Sequence, residues 1–196
     1  MKKLVRNSML VGAAVLGIGS LGAVAQAATT PATPVTSTAT ADITPGTITL
    51  SSAPSFQFGT VAASANDASY TSASTSGILD IADAGTGAGY TVTVAASPFT
   101  ATGGAALKNA QLSLDNKETD PIKADDVDNV STPPTLVANL SLSSSPVTVL
   151  SAAAGSGVGA YSGTYGATDA SLKVPAGNVG GSYSSTLTWT LANAPA

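Results

Sequence analysis

The 196-residue chain contains no cysteine and no histidine. Without cysteine there is no disulfide framework and no thiol nucleophile, so the fold must hold by its own core. Without histidine the usual proton shuttle and the commonest metal ligand are both missing. Charge is scarce as well: Asp, Glu, Lys and Arg make up 9% of the residues, about a third of the ordinary share. Ala, Ser, Thr and Gly take their place, so solubility rests on hydroxyls and amides rather than ions. Arginine occurs only at Arg6 and tryptophan only at Trp189. Beyond residue 27, four lysines (Lys108, Lys117, Lys123, Lys173) stand against eleven acids, a net charge of −7. No basic surface is left to release counterions from a nucleic acid, or to dock by charge on anionic lipid. Nucleic acid is therefore excluded as a partner.

A further absence is helical. After residue 27 no stretch of ten or more residues carries apolar side chains at a 3.6-residue period. Short apolar-alternating runs recur instead, separated by Gly, Pro and Asn. That pattern predicts an all-β domain, an antiparallel sandwich or barrel-like fold.

The N-terminus reads differently. Met1 to Arg6 is basic, Met9 to Val24 is mostly apolar, and Ala25-Gln26-Ala27 fits a small-x-small cleavage site. Residues 1–27 are expected to be a secretory signal peptide; the alternative is a retained N-terminal anchor. Residues 28–43, rich in Thr, Pro and Ala, have too little apolar area to offset ordering entropy and are expected to be a disordered linker. The folded domain is then 44–196. Its end, Ala192-Asn193-Ala194-Pro195-Ala196, shows no apolar span and no sorting-type tail, so no membrane attachment is expected in the mature form.

Within the domain, strands are predicted at Thr47–Leu50, Phe56–Gly59, Ile78–Asp83, Tyr90–Val94, Ala110–Leu114, Leu136–Leu142, Val147–Leu150 and Leu172–Pro175. The last run, Tyr183 to Leu191, alternates cleanly and reads as one terminal strand, with Tyr183, Leu187, Trp189 and Leu191 facing one way, the small Ser185 among them, as its buried face. Val61–Ser76 reads as a long loop or weak edge strand. The charged segment Asp115–Asn129 reads as an exposed loop, and the Gly/Ala/Ser-rich segment 151–170 shows no strand pattern.

Chemistry has few places to sit. Asp80 and Asp83 are a conceivable carboxylate pair, but on one strand end. Each lysine lies in a polar or turn context, which disfavours a Ser–Lys pair. The expectation is a non-enzyme. Asp125-Asp126-Val127-Asp128-Asn129 has oxygens for calcium but lacks the glycine and distal glutamate of an EF-hand loop, so no metal or other cofactor is expected. Gly85-Thr86-Gly87-Ala88-Gly89 precedes a strand rather than a helix, which rules out a dinucleotide fingerprint. Two aromatic-x-aliphatic triplets remain: Tyr90-Thr91-Val92 and Trp189-Thr190-Leu191. They are either rungs of the core or a partly exposed aromatic platform against which sugar rings can pack.

These triplets carry a resemblance. Ser182 to Pro195, centred on Trp189-Thr190-Leu191, resembles the distal motif of WxL-domain surface proteins of Gram-positive bacteria. The segment Asp83-Ala84-Gly85-Thr86-Gly87-Ala88-Gly89-Tyr90-Thr91-Val92 is similar in register to the family's proximal motif, with Tyr90 for Trp, Val92 for Leu and Ala84 for Arg. Gly46 to Leu50 and Phe56 to Gly59 resemble its opening strands. The resemblance implies a secreted, cell-surface protein attached non-covalently to peptidoglycan in the cell wall. The two triplets would be the binding residues, the terminal strand would lie beside its counterpart Tyr90–Val94, and other WxL-type or co-encoded surface proteins would be partners. The alternative is a structural subunit of a surface complex that binds partner proteins rather than glycan.

Overall fold

The computed structural model describes residues 33–117 and 121–193. The expected signal peptide lies outside the described residues. Residues 33–41 are exposed and without regular structure, and Asp42–Ala196 forms a separate compact unit. Among the described residues there is no helix; the unit is built from strands paired antiparallel throughout.

Among the described residues three four-stranded sheets share one core. The first runs β1 (Ile48–Ser52), β5 (Leu79–Asp83), β13 (Gly159–Gly163), β9 (Ile122–Ala124). The second, which holds both triplets, runs β10 (Thr135–Leu136), β12 (Val147–Ala152), β6 (Tyr90–Ala96), β16 (Leu187–Ala192). The third runs β11 (Leu140–Leu142), β8 (Gln111–Leu114), β14 (Ala170–Val174), β3 (Ala68–Thr71). Two ribbons, β2 (Ser55–Gln57) with β4 (Ser74–Ser76) and β7 (Thr100–Ala101) with β15 (Tyr183–Ser184), complete it. The sandwich-like expectation holds. The inward positions of β5 and β6, among them Leu79, Ile81, Tyr90, Val92 and Val94, are fully buried, as a period of two requires of central strands.

Several strand expectations need correction. The terminal run is two strands in two sheets. Tyr183 and Ser184 pair with Ala101 and Thr100, and Leu187 onward pairs with β6. Ser97 makes the switch: its Oγ accepts from Thr186 N (2.9 Å) and its carbonyl from Ser185 Oγ (2.6 Å). The run 136–142 is likewise divided, because Asn139 takes φ +57° and sends β10 and β11 to different sheets. Asparagine tolerates that left-handed conformation, so the apolar pattern ran on through the break. The charged segment 115–129 contains β9, an edge strand on β13 whose Ile122 packs against the core. The Gly-rich segment 151–170 contains β13, a central strand. Gly163 lies close enough to Leu79 and Ile122 that any side chain there would be crowded. Composition hid this strand because glycine is used here for close packing, not for turns.

Candidate functional site

The two aromatic triplets are neighbours. Trp189 stands opposite Val94, Thr190 opposite Thr93 and Leu191 opposite Val92. Tyr90 and Trp189 therefore share the inward face of one sheet, offset by four residues along β6, roughly 13 Å. They are not side by side, and their environments differ. β6 is flanked on both sides, and Tyr90 and Val92 are 0% exposed. β16 is an edge strand: Leu187, Trp189 and Leu191 are half-buried against the core, while Thr188, Thr190 and Ala192 are exposed.

Tyr90 is set by its approach. Gly89 has φ +78°, and a Cβ there would lie 2.7 Å from the Ala152 carbonyl oxygen, so only glycine brings the chain into β6 this close to β12. The Tyr90 hydroxyl donates a long 3.4 Å hydrogen bond to the Gly157 carbonyl. Burial, with Tyr161 and the Asp83 carboxylate nearby, pushes the Tyr90 phenol well above its usual pKa. Asp83, almost fully buried, folds the glycine loop onto itself. It accepts from Thr86 N (2.7 Å), Thr86 Oγ1 (2.9 Å) and Gly87 N (3.1 Å). The proximal segment Asp83–Val92 is thus a structural unit, and the carboxylate considered for catalysis acts as a loop cap. Asp80 in turn accepts from Ser51 Oγ (2.7 Å).

Trp189 opens onto a groove of about 420 Å³. One wall is the β16 entry, Ser185, Thr186, Leu187 and Trp189; the other is the β1–β2 corner, Ala53 to Gln57. Among the described residues no charged one lines it. Phe56 is held in place by Tyr165, whose ring meets it edge-on at 5.6 Å. The Tyr165 hydroxyl is buried and has no hydrogen-bond partner among the described residues, and burial followed by the Asp169 carboxylate raises its pKa. Pro54, Phe56 and Gln57 were not singled out as site residues by sequence reasoning. The available signal was Phe56-x-Phe58, two aromatics on one face of an opening strand.

The opposite face of the same sheet is a field of hydroxyls. Thr190, Thr93 and Thr148 form one row across three strands; Thr91, Ser151 and Thr135 form the next, with Ala192. A second groove of about 400 Å³, between the 58–70 segment and Pro175–Tyr183, contains none of the triplet residues.

The family model described as "WxL domain surface cell wall-binding" matches residues 23–195. The chain belongs to the WxL-domain family. It is a cell wall-binding surface domain of that family, which is a binding rather than an enzyme family. No curated protein and no solved structure matches it. In this WxL domain the distal Trp-x-Leu lies on an edge strand, and Tyr90-Thr91-Val92, at the proximal motif's register, lies on the central strand beside it. The tyrosine at position 90 therefore acts on packing: its ring is in the core, and Thr91 carries the only side chain of the triplet that reaches the surface.

Proposed function

We propose that the chain is exported by cleavage after residue 27, that residues 28–43 are a linker, and that the 44–196 domain attaches non-covalently to peptidoglycan. The contact is placed at the groove beside Trp189. Trp189, Thr190 and Leu191 supply the surface motif, and Tyr90, Thr91 and Val92 hold its supporting strand. The observation that carries this reading is a half-buried indole opening onto an uncharged groove in a cell wall-binding family member. An indole and the Phe56 ring offer apolar faces to the C–H faces of sugars, and Gln57, Ser185 and Thr186 offer hydrogen bonds. With no basic residue among the described residues that line the groove, attraction to anionic polymer contributes little, so binding is governed by contact and not by ionic strength.

The test is retention of the exported chain on purified peptidoglycan at low and high salt. Retention at both, with loss in Trp189→Ala, is the expected result. No retention at either salt overturns the proposal. The second reading is attachment to a partner surface protein, and the open edge of β16 favours it. Protease treatment of the wall preparation separates the two, since a protein receptor is destroyed and a glycan is not.

A further inference from the structure

The hydrogen-bond phase of β16 is set by Ser97, whose N–H donates to the Thr186 carbonyl (2.9 Å). Thr186, Thr188, Thr190 and Ala192 accordingly turn their backbone groups toward β6. The N–H and C=O groups of Leu187, Trp189 and Leu191 point the other way. Among the described residues no backbone partner meets them there.

This edge is unlike the other sheet edges of the molecule. Six residues long and without a register shift, β16 carries no charge and no proline. By contrast, β1 is bulged between Leu50 and Ser52, β9 carries Lys123, β10 has two residues and follows Pro133-Pro134, and β11 and β3 are shorter. Bulges, lysine, proline and short length are the devices that keep sheet edges from pairing, and β16 has none of them.

The sequence of this edge is also symmetric. Leu187-Thr188-Trp189-Thr190-Leu191 reads the same in both directions around Trp189. An antiparallel copy related by a two-fold axis at Trp189 pairs Leu187 with Leu191, Trp189 with Trp189, and Thr188 with Thr190. The residues whose backbone groups are free, Leu187, Trp189 and Leu191, are then those that form the hydrogen-bonded pairs. We infer that β16 is a self-association edge: two copies of the chain join β16 to β16 in this register, through about six backbone hydrogen bonds, into one continuous sheet. The exposed Thr188 and Thr190 side chains meet across the axis at non-hydrogen-bonded positions, where side chains lie closest. This inference does not rest on peptidoglycan being the ligand.

The register provides the test. The chain has no cysteine, so Thr188→Cys and Thr190→Cys on separate chains create the only thiols. Under mild oxidation, a mixture of the two exported variants is expected to cross-link about tenfold more than either alone, because only 188 and 190 of opposite copies fall within disulfide reach. Sedimentation equilibrium of the unaltered exported chain is expected to show a concentration-dependent dimer. The double variant Thr188→Lys, Thr190→Lys is expected to be monomeric, and Thr188→Glu, Thr190→Lys to recover the dimer by placing opposite charges across each pair. A monomer at every concentration overturns the inference. So does equal cross-linking of mixed and unmixed samples, or dissociation of both charged variants alike.

Discussion

Strands β6 and β16 carry the same kind of triplet, lie side by side in one sheet and are treated differently by the fold. Along β6 every inward residue from Tyr90 to Ala96 is buried, and the flanking threonines still keep a partial exposure. Along β16 the inward residues stop at half-burial and the threonines are exposed. An aromatic-x-aliphatic pattern is therefore a core rung in one strand and a surface motif in the next. What separates them is the number of hydrogen-bonded strand neighbours: β6 has β12 on one side and β16 on the other, and among the described residues β16 has only β6.

The largest expected effect tests this contrast directly. Tyr90→Ala empties a fully buried site and should cost about 3–5 kcal/mol in denaturant unfolding. Trp189→Ala removes a larger side chain from a half-covered site and should cost about half as much, about 2 kcal/mol. If the two losses are equal, the division into core rung and surface motif is broken. Raising the pH acts on the same side of the comparison. Burial favours the neutral phenol of Tyr90 and of Tyr165 in the folded state, and both pKa values are raised above 10.0. Above about pH 10 the unfolded chain releases protons that the folded chain keeps, so stability is present below that pH and falls as pH rises. The midpoint of urea unfolding should drop between neutral pH and pH 11, and the drop should shrink in the double variant Tyr90→Phe, Tyr165→Phe. A flat profile in the unaltered chain is evidence against a buried Tyr90.

Smaller effects sharpen the picture of the groove. Tyr165→Phe deletes a buried hydroxyl that has no partner among the described residues while keeping the edge contact to Phe56. It should raise stability by about 1 kcal/mol, measured by the same unfolding transition. A loss of similar size would show that the hydroxyl is satisfied. Thr190→Ala, on the exposed face of β16, should stay within about 0.5 kcal/mol of the parent.

Much of this was legible beforehand. The all-β class followed from alternation and turn residues, and the pairing of the terminal strand with Tyr90–Val94 followed from the family pattern. The inward set Leu187, Trp189, Leu191 needed only a period of two. Strand β13 was not legible, because Gly159 and Gly163 read as loop composition until Tyr161 between them is seen buried at the centre of a sheet. Nor was the division of 183–191, since the Ser97 hydrogen bonds that separate β15 from β16 join residues far apart in the chain. The groove walls had the same difficulty: Phe56 and Trp189 meet only through the packing of distant strands.

By itself the sequence determined the face of each residue in β6 and β16, because side-chain direction alternates along any strand whatever lies beside it. It also determined that no cationic, thiol or imidazole chemistry is available to the domain beyond four lysines. Only the tertiary structure decided how deeply each face is covered. Strand order places Tyr90 between two neighbours and Trp189 at an edge, and burial depends on neighbours that a period of two does not specify.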